Sequence, residues 1–448
     1  MNKKSTGFQI ITTLGTRFAV LFGAFFVSVL TARLLGPEGK GIITALLVIP
    51  TLVVTIADLG IRQSTAYFIG KQTFELKAVT SSLNFIWLMS SILCTLIVGL
   101  LYWLQYGDRY SWWLMGIMLL TIPVNLGIQY LRGVMQGKLK IGSINFTELL
   151  KTGLNFGILL LLVGLWKWGV MGAAVTQLLM AVFTLLYSIR ALKEIPFGIH
   201  YNGPIIRSMI TRGFSFALAL FVLQLNYRFD VLILEAYTNV TEVGIYSVGT
   251  NIAEVIWQVP AAIGLILFSK GANASREQDS IDRTTRLIRL LVPVLIVCGA
   301  LFWIFAPVII TALYGQAFAA SATVIRYIMP GILSFVIVKL LHSEISGRGY
   351  PLFSLNVSIV SLLINVGMNL LLIPKYGAIG ASISSATSYT FAGLLFLILY
   401  TRREKLKLRH ILVMTKADAA DLKQRVSGIW SRRRQKGKQR EVGGSSSA

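Results

Sequence analysis

Apolar side chains run through this chain in long blocks, without the alternation of a half-buried strand. A window of about 20 residues, the length that crosses a bilayer as a helix, picks out twelve candidate spans: 9–32, 41–61, 79–104, 112–134, 146–166, 169–190, 211–236, 243–268, 287–311, 322–345, 352–373 and 377–400. The gaps between them are too short for soluble domains. The seventh run is the most polar, since Arg212, Arg228 and Asp230 fall within it, yet its centre FSFALALFVLQL demands burial. The pattern predicts an all-α polytopic membrane protein with 12 transmembrane helices. The first apolar stretch is too long for a secretion signal and has no clear cleavage site, so it reads as a retained first helix.

A junction is written twice. Lys167–Val175 reads KWGVMGAAV and Lys375–Ile383 reads KYGAIGASI, 208 residues later. Gln136-Gly-Lys138 matches Ser346-Gly-Arg348, Asn155 matches Asn365, and the EGKGI that starts at Glu38 resembles the EVGI that starts at Glu242. Matches in the same order at a near-constant offset argue for a duplication of six helices. Because six is even, both copies enter the membrane in the same direction, the arrangement of parallel repeats around a central site. The expected domains are an N-terminal six-helix bundle at 1–200, a C-terminal six-helix bundle at 201–400 and a basic cytoplasmic tail at 401–448. The glycines of the repeated junctions are expected to serve tight reversal and close helix approach.

Composition agrees with the pattern: 55% hydrophobic and 13% charged residues, with a mean hydropathy of +0.71. The net charge of +24 would suggest nucleic acid on a soluble protein. Here the basic residues fall in the gaps, where they orient the chain. The gaps after even-numbered spans hold twelve of them and those after odd-numbered spans hold five. The positive-inside rule therefore puts both termini in the cytoplasm. The tail adds an amphipathic stretch near Ile411 to Trp430 and a basic cluster, SRRRQKGKQR. It reads either as an interfacial segment held by anionic membrane lipids or as a solvated tail that enforces topology.

Catalytic patterns are missing. Cys94 and Cys298 lie in apolar runs without metal-ligand spacing, and His200, His342 and His410 are scattered. Without a Walker A motif or a carboxylate cluster, no enzyme, metal or cofactor is expected. Ionisable residues inside the spans carry more information, because each costs roughly 2.5–3.5 kcal/mol at mid-bilayer. Asp58 and Arg62, and Glu148 and Lys151, have the spacing of local pairs, and Arg132 and Arg212 can snorkel. Arg17, Arg228, Asp230, Glu254 and Lys339 lie deeper. Three cations against two acids suit an anionic substrate such as a phosphate or pyrophosphate head group. Asp230 and Glu254 are candidates to carry H+ or Na+.

The segments TARLLGPEGKGIITALL, LNYRFDVLILEAYTNVTEVGIYSVGTNIAEVIWQVPAAI and KYGAIGASISSATSYTF resemble the polysaccharide transporter family. This is the Wzx-type oligosaccharide and O-antigen branch of the multidrug/oligosaccharidyl-lipid/polysaccharide flippase superfamily. The resemblance runs from about residue 7 to residue 400. It implies two six-helix bundles in a V around a central cavity in the bacterial inner membrane. It also implies flipping of undecaprenyl-diphosphate-linked oligosaccharide from the cytoplasmic to the outer leaflet by alternating access. The Tyr-Arg-x-Asp element points to Arg228 and Asp230. On that reading Arg17, Arg228 and Lys339 would hold the diphosphate, while Gln224, Asn226, Asn251 and Gln258 would line a wet cavity for the sugars. A polysaccharide polymerase and glycosyltransferases are the implied protein partners. The rival readings are a drug or metabolite antiporter of the same superfamily, a lipid II flippase, whose branch has fourteen helices rather than twelve, and a non-transporting scaffold for polysaccharide enzymes.

Overall fold

A computed structural model describes residues 6–414 apart from Leu59, Asp108, 195–197, 273–275 and 351–352. The amphipathic stretch beyond Met414 and the basic cluster that follows lie outside the described residues. Every regular element among the described residues is helical, with no strand. Hydrocarbon leaves a backbone no outside partner for its N–H and C=O groups, and a helix satisfies them internally.

The helices are α1 (Thr6–Asp58), α2 (Ile61–Lys71), α3 (Leu76–Tyr106), α4 (Trp112–Gly137), α5 (Ile141–Leu159), α6 (Gly169–Ala191), α7 (Gly203–Tyr237), α8 (Val240–Ala253), α9 (Gln258–Ala272), α10 (Glu277–Tyr314), α11 (Ser321–Gly347), α12 (Phe353–Arg403) and the short α13 (Arg409–Leu412). Nine helices among the described residues are long and apolar enough to cross a membrane. That is fewer than twelve for two reasons. First, α1 and α12 run for 53 and 51 residues. At about 1.5 Å per residue each would be more than twice the roughly 30 Å thickness of the hydrocarbon. Each is broken once, at Gly36 (φ 67°) and at Gly377 (φ 53°), where a residue with a Cβ would be strained. Pro37 follows the first break and Pro374 precedes the second, and proline cannot supply a helical N–H. Second, α7 is one further helix of 35 residues that stands outside the nine. It starts cleanly: Asn202 caps it by accepting from the Ile205 N–H at 3.3 Å, and Pro204 takes an early position.

The run expected at 243–268 is interrupted. A 3₁₀ turn, Glu254–Trp257, separates α8 from α9. Pro260 accounts for it, because its ring displaces the carbonyl four residues before it. α5 continues into a wider π turn, Leu160–Leu165.

The repeated junctions share a left-handed glycine, although Lys167 is left-handed as well and Lys375 is not. Gly169 (φ 57°) and Gly377 (φ 53°) are both left-handed, as are Leu139 (φ 55°) and Gly349 (φ 98°) at the other matched turn. Gly172 and Gly380 also match in their surroundings. A methyl group on Gly380 would lie 2.4 Å from the Leu372 carbonyl oxygen; one on Gly172 would lie 2.8 Å from the Trp168 Cβ and 3.3 Å from the Leu162 carbonyl oxygen. The glycines therefore act through close packing, as the sequence suggested.

The described residues of Met1–Ala253, Trp303–Met329 and Ser358–Ser388 form one compact unit, and those of Glu254–Phe302, Pro330–Val357 and Tyr389–Ala448 a second. The first unit holds a core around Leu46, Ile61, Leu83, Met118, Leu126 and Met209. It holds another where Ala45, Val48 and Leu52 pack with Val231, Leu234, Tyr246 and Ala381. Two of the tyrosines buried in the first core send their hydroxyls to main-chain carbonyls: Tyr102 donates to Leu46 and Tyr130 to Ala57. The second unit is organised around Trp257, whose indole N–H donates to the Ile332 carbonyl at 2.8 Å and whose ring meets Phe335 and Tyr389.

Gly380→Ala is expected to destabilise the purified protein by about 1–3 kcal/mol, seen as a lower thermal midpoint in detergent. Gly172→Ala should destabilise in the same direction, because the Trp168 Cβ at 2.8 Å is fixed to the main chain. Gly157→Ala, which meets nothing within 4 Å, should be neutral or stabilising by up to about 1 kcal/mol.

Candidate functional site

Asn226, expected to line a wet cavity, and Asp230, expected to carry H+ or Na+, are both closed into the first unit. Asn226, 3% exposed, donates to the Ser358 carbonyl at 2.8 Å and accepts from Ser361 Oγ at 3.2 Å. Asp230, 2% exposed, accepts from the Val231 N–H at 2.8 Å, from Ser385 Oγ at 3.1 Å and from the Tyr246 hydroxyl. Ser385 also meets Asn365 at 3.3 Å, and Asn365 meets Asn369 at 2.9 Å. These side chains make one continuous polar network among α7, α8 and both segments of α12. In a dry interior each unsatisfied polar group is costly and each satisfied one fixes position, so the network sets the register of the three helices. The physical reason for the difference is helix phase. Asp230 faces α8 and α12, and Arg228, about 200° away, does not.

Arg228 is half-buried and lies within electrostatic reach of Lys40 and of Asp230. Lys40 is also half-buried. Two cations thus share a neighbourhood with one carboxylate whose oxygens are already engaged. In the sequence Lys40 stands only among the charges that orient the chain. Its position inside the EGKGI copy of a repeated element was the available signal. Arg17 is exposed on α1, whereas Gln224 on α7 and Asn251 on α8 are half-buried.

The second unit brings Lys339 and Glu254 together. The Lys339 ammonium lies 4.4 Å from the Trp257 ring centroid and 5.6 Å from that of Phe335, within reach of the Glu254 charge. The 3₁₀ turn before Pro260 presents Glu254. A cation over aromatic faces beside a carboxylate is held by both attractions. Gln258 is exposed at the start of α9. His342 hydrogen-bonds Ser354. The same unit buries a charge cluster that the sequence did not reveal. Arg348, expected only to orient the chain, meets Glu344 at 2.8 Å, Glu277 at 2.7 Å and Glu404.

The local pairs divide. Arg62 and Asp58 stand 3.9 Å apart as their spacing predicts. Glu148 takes Arg132 as its ion-pair partner, with Lys151 close enough to feel both charges. Arg212 lies over the Tyr67 ring at 3.8 Å, and Arg326 donates to the Trp303 carbonyl at 3.2 Å.

Within the first unit, residues from the two halves of the sequence meet at the helix ends that carry few basic residues. A methyl group on Gly41 would lie 1.6 Å from the Val240 carbonyl oxygen, and one on Gly244 would lie 2.0 Å from that of Pro37. The main chains therefore touch reciprocally, through the EGKGI and EVGI elements. Arg33 donates to the Leu313 carbonyl at 2.7 Å and to the Ala312 carbonyl, the unpaired acceptors at the end of α10. Arg109 meets the buried Glu235 at 3.2 Å. Glu38, Ile42, Arg109, Tyr110, Glu235 and Asn239 line a cavity of about 330 Å³ there. Nearby, Glu242 accepts from the Ala378 N–H at 2.8 Å, an N–H left free by the break at Gly377.

Residues 9–268 match the family model described as polysaccharide biosynthesis protein. A Shigella flexneri protein named as an O-antigen transporter is 22% identical over 390 residues, covering 83% of this chain and 92% of its own. The fold is that of an inward-facing multidrug resistance transporter of the MATE family in the MOP superfamily, with a TM-score of 0.70 at 15% identity over 88% of this chain and 97% of that one. The lipid II flippase MurJ in an inward closed conformation also gives 0.70, at 13% identity over 91% of this chain and 89% of its own. With a family model spanning more than half its length, this chain belongs to the polysaccharide biosynthesis protein family and is a multi-pass membrane protein of the MOP transporter fold.

Proposed function

We propose that this protein carries a lipid-linked oligosaccharide across the bacterial inner membrane, from the cytoplasmic to the outer leaflet, for polysaccharide assembly. The substrate is an undecaprenyl-diphosphate-linked repeat unit. The observation that carries the reading is the surplus of cations at Arg228 and Lys40. Two like charges held near each other out of bulk water repel, and Asp230 is committed to Tyr246, Ser385 and the Val231 N–H. An anionic diphosphate relieves that repulsion, whereas a cationic drug adds to it. Arg17 extends the cationic set of the first unit, with Gln224 and Asn251 available to sugar hydroxyls; in the second unit Lys339 is a cation for phosphate in its own right. Asn226 and Asp230 then act through the framework that aims Arg228. Glu254, beside Lys339, is the stronger candidate to take up a coupling H+ or Na+. The family, together with the O-antigen transporter assignment of the Shigella relative, supports the substrate class.

The division of α1 at Gly36 and of α12 at Gly377, with α7 counted, supports twelve crossings, both termini cytoplasmic and two bundles of six. The bundles are 1–200 and 201–400. The reciprocal contact of Gly41 and Gly244 is what a two-fold relation between the bundles would produce. Alternating access then requires the charge-poor end to part, breaking the Arg109–Glu235 and Arg33–α10 links.

Arg228→Ala should reduce polysaccharide export in a complementation assay by at least about tenfold, the scale of losing a charge-assisted contact, with membrane abundance unchanged. Normal export by that variant would defeat the assignment. For the charge-poor end, the probe is Ser247→Cys, introduced in a background lacking Cys94 and Cys298. Charge reversal at Arg109 or at Glu235 alone should raise its labelling by an impermeant thiol reagent added outside. The double reversal should bring the labelling back down. Unchanged labelling in both single variants would show that the pair does not close this end.

A further inference from the structure

A cavity of about 490 Å³ lies among α3, α4 and α6, away from the cationic set. It opens at the basic end of these helices, where α3 begins and α6 finishes. Its walls include Leu83, Trp87, Leu131, Val134 and Leu185. The polar donors on those walls are already used. Thr80 donates to the Leu76 carbonyl at 3.0 Å, Asn84 to Gly198 at 2.9 Å, Trp87 to Pro123 at 2.9 Å and Tyr130 to Ala57 at 2.8 Å. Such walls offer little to water or sugar, but they suit hydrocarbon. Ile189, at the mouth, is 52% exposed and shares its face of α6 with Phe183 and Leu186, at 48% and 55%. That face has the character of a lipid contact.

Lys193 also lines the cavity. Its ammonium makes no ion pair or hydrogen bond among the described residues, and the neighbouring acid Glu194 is taken by Lys140 at 3.6 Å. Arg190, nearly one turn earlier, is exposed in the last turn of α6. An acyl chain gains little by leaving lipid tails for an apolar wall. Selectivity must therefore come from the head group, and the group at this mouth is cationic. The volume lies within the roughly 300–1,000 Å³ of small-molecule sites.

We propose that this crevice is a binding site for one anionic phospholipid. An acyl chain lies along Leu83, Trp87 and Leu185, and the head-group phosphate sits against Lys193 and Arg190. The site is independent of the transported substrate and holds whether or not the transport reading does. Trp87 reports on it directly. The full chain is placed in nanodiscs of phosphatidylcholine doped with phosphatidylglycerol brominated on its acyl chains, or with equally brominated phosphatidylcholine. The fluorescence difference between wild type and Trp87→Phe isolates this one tryptophan. Its quenching should need at least about fivefold less brominated phosphatidylglycerol than brominated phosphatidylcholine, the enrichment expected for even one of the two basic residues at a lipid surface. Arg190→Gln/Lys193→Gln should remove the difference while leaving the phosphatidylcholine curve unchanged. Equal quenching by both lipids in the wild type would overturn the proposal, as would no quenching by either. A preference that survives the double substitution would overturn the assignment of the head-group site.

Discussion

Main chain touching main chain at Gly41 and Gly244 is the contact on which much of the first unit depends. No side chain separates the Val240 carbonyl from Gly41, or the Pro37 carbonyl from Gly244. In lipid, helices gain nothing from hydrophobic association with one another, so close backbone approach and polar contacts must hold them. Both glycines sit near the start of a helical segment, Gly41 just after the break in α1 and Gly244 in the first turns of α8. The reversals at Gly36 and between α7 and α8 are thereby pressed together, and Arg33 and Arg109 are brought within reach of α10 and Glu235. A methyl group at either glycine would push all of these apart.

Buried polar groups do two kinds of work in this molecule. The network of Asp230, Tyr246, Ser385, Asn365 and Asn369 is bonded within itself except at the Asn369 Oδ1, and it ties α7 and α8 to both segments of α12. Among the described residues, the side chains of Arg228 and Lys40 make no such hydrogen bonds. The same helix that anchors itself through Asp230 and Asn226 turns Arg228 elsewhere, because residues two apart point to opposite sides. A rigid α7 is therefore a condition for holding a cation in a fixed place, which is what binding a diphosphate demands. The crevice at Trp87 has the opposite character: its donors are quenched by backbone carbonyls, and only its mouth is charged.

Much of the fold could be read from the chain, since hydrophobic length alone marks where helices cross. The breaks at Gly36 and Gly377 follow from a glycine with a proline adjacent or three residues away, between two apolar runs. The shared left-handed turns at Gly169 and Gly377 follow from the repeated Lys-aromatic-Gly element. Pairings were less legible. Arg109 meets Glu235 across 126 residues and Arg348 meets Glu404 across 56, and nothing local marks such partners. Sidedness was legible only in part. The Tyr-Arg-x-Asp element marks Arg228 and Asp230 equally, and only the packing of α8 and α12 assigns one to the interior. Asn365 is the clearest lesson. Its sequence twin Asn155 is half-buried with an unpartnered oxygen, while Asn365 is wholly enclosed. Matched residues thus serve different ends in the two halves.

The central claim is that the two halves of the chain meet at the charge-poor end and part there when substrate is carried. Spin labels at Ser111 and Asn239, both exposed on that end of the first unit, measure this directly in nanodiscs by pulsed electron resonance. One short distance is expected without substrate, with a second, longer population when lipid-linked oligosaccharide is added. A single distance that stays the same with substrate would contradict the claim.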